Sequence, residues 1–259
     1  MNIKILAVLF FFAASTALFA AEETRQLSLD TDGIEMMVIE CGAGDCRIEG
    51  VEGRDSIEVR ARITVRGMSS RRSRQFIEEK VVLTLERNGS RAVLKSLFRP
   101  HISLFSVGSK MIDLTILVPS RLDLDIDDSS GDMDLKNIDG SVVIDDSSGD
   151  ITVRNVRGNV DIDDNSGDIV LEAVGGSVMI DDRSGTIELR DLGGRVNVDD
   201  SSGDIFIQTA VGDVTVSDSS GDITIDGVER DVIIKSDGSG DVDITNVRGR
   251  IIKEPAFEN

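Results

Sequence analysis

From residue 123 onward, apolar and polar positions alternate in short runs that return every 18 residues. One apolar column reads Met133, Ile151, Ile169, Ile187, Ile205, Ile223 and Val242; a second, two residues on, reads Leu135, Val153, Leu171, Leu189, Ile207, Ile225 and Ile244. A third holds Ile138, Val156, Val174, Leu192, Ala210, Val228 and Val247. Two more run from Val142 to Val232 and from Ile144 to Ile234. Alternation with period 2 places these side chains on one face of a strand, and β-branched residues suit such positions.

Glycine punctuates the pattern twice per repeat. Gly131, Gly149, Gly167, Gly185, Gly203 and Gly221 are spaced by 18, and Gly240 follows after 19, so one residue is inserted in the 235–240 region. A second column runs through Gly140, Gly158, Gly176, Gly194 and Gly212, is broken by Arg230, and resumes at Gly249. Each repeat therefore contains two strands and two turns. Eighteen residues cannot bury five aliphatic columns alone, because the entropy of ordering them exceeds what that burial returns. Stacking in parallel ladders about 4.8 Å apart buries every column at once. The predicted fold is all-β: a single-stranded parallel β-solenoid of 18-residue coils over 123–254, right-handed by the crossover rule.

The preceding half, 21–122, is less regular and reads as a capping or flanking β region. Ile39–Cys46 aligns without gaps on Ile144–Ile151, residues 57–65 alternate as a strand, and a polar, Arg-rich stretch near 69–80 is expected to form a short helix. Val81–Leu85, Ala92–Phe98 and Met111–Val118 read as longer strands. Residues 1–20 have the shape of a secretory signal, with Lys4, an apolar run over Ile5–Phe12 and small residues leading to Ala20. No later stretch is apolar enough to be a transmembrane helix. The expectation is an exported protein, periplasmic or extracellular, with a short tail at 255–259.

Charge narrows the partners. Residues 22–122 carry 16 basic and 15 acidic side chains, whereas 123–259 carry 11 and 33, a net of −22. Such a surface repels nucleic acid. Trp and Tyr are absent, which removes the usual stacking platforms for bases and sugars. A single histidine, His101, leaves little imidazole chemistry.

The motif Asp-Asp-x-Ser-Gly-Asp stands at 127–132, 145–150, 163–168 and 199–204, with variants at 181–186, 217–222 and 236–241. Turn chemistry is the preferred reading. The second Asp of each pair (Asp128, Asp146, Asp164, Asp182, Asp200, Asp218) points inward at the bend and accepts backbone N–H bonds. The glycine (Gly131, Gly149, Gly167, Gly185, Gly203, Gly221) takes a conformation costly for other residues. Treated as solvated, neighbouring carboxylates repel by only about 0.9 kcal/mol. No metal site or cofactor is expected, although weak calcium binding is an open alternative for oxygen-rich turns. A catalytic role is disfavoured, because catalysis needs one carboxylate singled out by its surroundings and these repeat in near-equivalent settings.

Cys41 and Cys46 fall at inward positions across one turn, and a disulfide between them is expected in an oxidising compartment. Arg71, Arg72 and Arg74 read as a solvated helix face.

Ile116-Leu-Val-Pro-Ser-Arg-Leu-Asp-Leu-Asp-Ile-Asp-Asp-Ser-Ser-Gly-Asp132, a strand ending in Val-Pro and leading into Ser-Gly-Asp repeats, resembles the "putative adhesin" family of bacterial β-strand-repeat proteins, related to the head-GIN domain. The resemblance covers about residues 35–250. It implies a solenoid fold and adhesion at the cell surface, and it carries over no catalytic residues. The expected function is an exported, non-catalytic, adhesin-like or envelope scaffold module. Its partner is not identified; an envelope or surface polysaccharide or protein is the candidate. The alternative is a polysaccharide-active enzyme on a parallel β-helix.

Overall fold

The computed structural model describes residues 20–99 and 108–254. Residues 1–19 of the predicted signal segment, His101 and the 255–259 tail lie outside them. The N-terminal region comprises β1 (Ala20–Asp30), β2 (Met36–Ala43), β3 (Cys46–Val51), β4 (Ser56–Arg66), α1 (Ser70–Lys80), β5 (Val81–Asn88), β6 (Arg91–Phe98) and β7 (Lys110–Pro119). The repeats begin with β8 (Asp123–Ser130) and β9 (Met133–Ile138) and continue as strand pairs to Val232–Asp237 and Val242–Val247, closed by Ile251–Lys253.

Each coil gives one strand to each of two sheets, and both sheets count eleven strands among the described residues. Neighbouring coils pair in parallel at the sequence period: Val142 with Val160, Val160 with Val178, Val178 with Val196. The aliphatic columns between the sheets are sealed, as Ile144, Val153, Leu171, Ile187 and Val214 illustrate with at most 1% exposure. The period of 18 therefore has a mechanical cause: only equal coils keep like side chains stacked. Where the sequence adds a residue, the ladder slips. Val216 pairs with Ile234 but Ser217 pairs with Ser236, which leaves Lys235 as a bulge.

One left-handed residue near the end of the strand that follows each Gly-Asp turn, as Asn137 within Met133–Ile138, makes a corner. Asn137, Asn155, Ala173, Asp191, Thr209 and Asn246 have φ between 55° and 62°, and Gly227 has 77°. This kink puts two consecutive residues outside, such as Arg154 and Asn155, before Val156 turns back into the core. The pairing skips it accordingly, from Arg154–Glu172 to Val156–Val174.

The N-terminal region is interleaved with the stack. β2 lies between β6 and β8, and β3 lies between β7 and β9. The chain thus builds the coil β2–β3, leaves it, lays down β6 and β7 on its far side, and returns to stack β8 and β9 on its near side. The alignment of Ile39–Cys46 on the repeat holds in register, since Ile39 pairs with Ile126, Cys41 with Asp128 and Cys46 with Met133. Beyond β6 and β7 the sheets turn antiparallel, through β5 with β6, and β4 with β7 and β1. The predicted helix is α1; its inward side is Ser73 and Ile77, spaced four apart, while Arg71, Arg72 and Arg74 face outward. Phe76 rests 5.8 Å from Phe98, ring centre to ring centre. The antiparallel strands and α1 cover the N-terminal end of the solenoid.

Candidate functional site

The repeated motif separates its carboxylates into three environments. The first Asp (Asp145, Asp163, Asp181, Asp199) is outward and exposed. The last Asp ties coil to coil: Asp132 Oδ1 accepts the N–H of Asp150 at 3.3 Å, Asp150 that of Asp168 at 3.0 Å, and Asp168 that of Thr186 at 2.9 Å. An analogous ladder crosses the opposite turn, where Asp123 accepts the N–H of Ser141 at 2.8 Å and Asn159 that of Ser177 at 2.9 Å. These bonds satisfy backbone donors that the turns would otherwise strand.

The second Asp is inside. Asp128, Asp146, Asp164, Asp182, Asp200 and Asp218 are 0–1% exposed, stacked in register along one edge of the core. As the turn reading expects, Oδ1 accepts the N–H two residues on, from Ser130 at 3.3 Å to Ser202 and Ser220 at 2.9 Å. Oδ2 of every one of the six has no hydrogen-bond partner. Contrary to the expectation of solvated side chains, these carboxylates are sealed from water by the adjoining coils. Burial pushes Asp128, Asp146, Asp164, Asp182 and Asp200 up to about 6, opposed by the turn N–H groups, and pushes Asp218 in the same direction. At an effective dielectric near 20, charges about 4.8 Å apart repel by roughly 3.5 kcal/mol rather than 0.9. The column continues into β2 and β6, where Cys41 and then Ser96 take the place of Asp.

Cys41 and Cys46 face each other across their turn as buried thiols, Sγ to Sγ 3.8 Å. The Cys41 thiol is held well above its usual range by its contact with Cys46, by burial and by the charge of Asp128. A disulfide needs that gap to close to about 2 Å.

The arginines of the repeats lie within the acidic surface. Arg157 pairs with Asp139 at 2.7 Å, Arg190 with Glu188 at 2.7 Å, and Arg154 lies between Asp134 and Glu172 at 3.5 and 3.6 Å. Arg183 and Arg195 reach Asp163 and Asp213 at 3.9 and 4.0 Å. All are exposed, so they temper the field more than they stabilise the fold.

The left-handed corners line a groove that sequence reasoning missed. It runs across several coils, holds about 730 Å³, and is lined by Asn137, Asn155, Arg157, Gly175, Asp191 and Gly193 among others. Asn155 donates to Asn137 at 3.2 Å, so the amides form their own short ladder. The available signal was the 18-residue recurrence of Asn, Asp and Gly between two apolar columns, the residue types that tolerate positive φ. Among the described residues no group of three or more His, Cys, Asp or Glu is disposed to hold a metal ion, and no helix is long and apolar enough to cross a membrane.

The family described as Toastrack DUF4097 matches residues 34–246, and the chain belongs to it. The resemblance seen at Ile116–Asp132 is thereby met, over nearly the span it suggested. Among solved structures, a "putative adhesin" from Parabacteroides merdae is similar at 15% identity over 90% of this chain and 96% of its own, with a TM-score of 0.47. A "putative lipid binding protein" from Parabacteroides distasonis is similar at 15% identity over 90% and 97%, TM-score 0.47. A "putative cell adhesion protein" from Clostridium sporogenes follows at 12% identity over 91% and 100%, TM-score 0.35. No curated protein sequence matches the chain.

Proposed function

We propose that this toastrack-family chain is an exported, non-catalytic module that holds an extended envelope or surface partner along the groove at its left-handed corners. The carrying observation is the groove itself, which spans successive coils and is lined by Asn137, Asn155 and Asp191. Amide and carboxylate groups beside the small Gly175 and Gly193 suit hydrogen bonding to a hydroxyl-rich, uncharged or cationic glycan, whereas the net charge of −20 disfavours an anionic one. Export rests on the signal-like residues 1–20. The enzyme alternative has less support: the carboxylates whose proton affinity is raised are those sealed in the core, out of reach of any substrate.

Cell fractionation locates the protein, and a glycan array with the purified chain tests binding. Retention of a neutral or cationic glycan, reduced at least tenfold by Asp191→Arg, is the expected result. Reproducible cleavage of a polysaccharide, or equal retention by Asp191→Arg, overturns the proposal.

A further inference from the structure

Nothing in the binding role requires carboxylates inside the solenoid, yet six consecutive coils place one there. The groups facing this column are all of one kind or apolar. Along the column itself each Asp meets its neighbours above and below, with Cys41 beyond Asp128 and Asp237 beyond Asp218. Adjacent on the same strands are the outward Asp127, Asp145, Asp163 and Asp181, and Asp204 bears on Asp218. The opposite sheet presents Met133, Ile151, Ile169, Ile187, Ile205 and Ile223, which are buried aliphatics. No Lys, Arg or His side chain hydrogen-bonds or forms an ion pair with any of the six among the described residues. Each Oδ1 takes a turn N–H, and each Oδ2 is left bare. A buried oxygen without a partner is better occupied by a proton than by a negative charge.

We infer that this file of stacked carboxylates is a proton-binding device built into the fold, which tightens the solenoid in mildly acidic surroundings and loosens it as the pH approaches neutrality. The sign follows from linkage. Asp128, Asp146, Asp164, Asp182 and Asp200 have folded values of about 6 against an ordinary 3.8, and Asp218 is shifted in the same direction, so the folded chain holds more protons than the unfolded one between those limits. Their stabilising contribution is full below about 3.8 and is lost as pH rises through 6. Exposed groups work the other way at lower pH: the Arg250 hydrogen bonds hold Asp231 below its ordinary value, and this contribution fades on acidification. Stability should therefore peak near pH 4 to 5.

The test is thermal and chemical unfolding from pH 4 to 7.5 of the whole chain and of two variants. Asp164→Asn replaces an inward carboxylate by a neutral group of the same shape that keeps the acceptor for Ser166 N–H; Asp163→Asn does the same to its outward neighbour. The wild type should melt at higher temperature at pH 4.5 than at pH 7.5. Asp164→Asn should raise the folding constant at pH 7.5, by up to about a hundredfold for a two-unit shift, and flatten the pH slope. Asp163→Asn, which removes only a minor part of the field on Asp164, should change the slope far less. Should Asp164→Asn fail to fold, potentiometric titration of the wild type decides: at pH 5 the folded chain should hold about four more protons than the chain in denaturant. Equal proton content, or equal effects of the inward and outward variants, overturns the inference.

Discussion

The carboxylate of Asp150 accepts the backbone N–H of Asp168, 18 residues later and one coil along, at 3.0 Å. It makes a side chain part of the ladder that joins one coil to the next. Asp150→Ala should therefore cost about 1–2 kcal/mol by leaving the Asp168 donor to less favourable partners. The outward Asp145 makes no such bond, and Asp145→Ala should stay within about 0.5 kcal/mol. Denaturant unfolding of the two variants at one pH makes the comparison.

Gly167 has φ +152°, and a Cβ there would fall on the carbonyl of Gly149 in the adjoining coil. Because the obstruction is backbone, Gly167→Ala must push two coils apart, at a cost above about 4 kcal/mol. Gly53 also has positive φ, +70°, but open space around it. Gly53→Ala should lose only about 1–2 kcal/mol, the conformational cost alone. Similar losses for both would show that crowding between coils is unimportant.

Thr209 is a β-branched residue held at φ 61°, where the column otherwise favours Asn, Asp and Gly. Thr209→Gly should stabilise the protein by about 0.5–1 kcal/mol, the relieved strain outweighing the greater freedom of the unfolded chain. Thr152 lies in an ordinary strand of the same sheet. There the same change should destabilise by about 1 kcal/mol. Opposite shifts in melting temperature are the expected result.

Cys41 and Cys46 are close enough for a small movement to join them. Protein recovered from an oxidising compartment should show neither thiol free to a maleimide reagent under denaturing, non-reducing conditions, and both free after reduction. Reduction should lower stability modestly, since the bridge closes a loop of only a few residues. Full labelling of both without reduction would show that the pair functions as packed thiols.

Much of this molecule could be read from spacing. The five aliphatic columns, the paired turns, the helix at Ser70–Lys80 and the inserted residue in the 235–240 region all follow from local periodicity, and each is where the pattern placed it. Parity of the strands also sufficed to turn Asp146 inward and to align Cys41 with it. These features are legible because a solenoid is nearly one-dimensional: each coil meets mainly its neighbours, so sequence distance and spatial distance agree.

That agreement fails at two places, and only the tertiary structure decided them. Leaving β2–β3, building β6 and β7 beyond it, and returning with β8 is a matter of which distant strands meet, and no local pattern encodes a partner 55 residues away such as Lys95 for Glu40. Likewise, an inward side chain at a bend is either wet or sealed according to how closely the next coil covers it. Burial to 1% or less changed the inward Asp column from solvated turn acceptors into groups with raised proton affinity, held at about 6 for Asp128, Asp146, Asp164, Asp182 and Asp200. The sequence alone determined the repeat and the inward or outward side of its aliphatic columns and Asp pairs; packing density, a property of many coils together, determined the dielectric surroundings of the inward carboxylates and hence their charge.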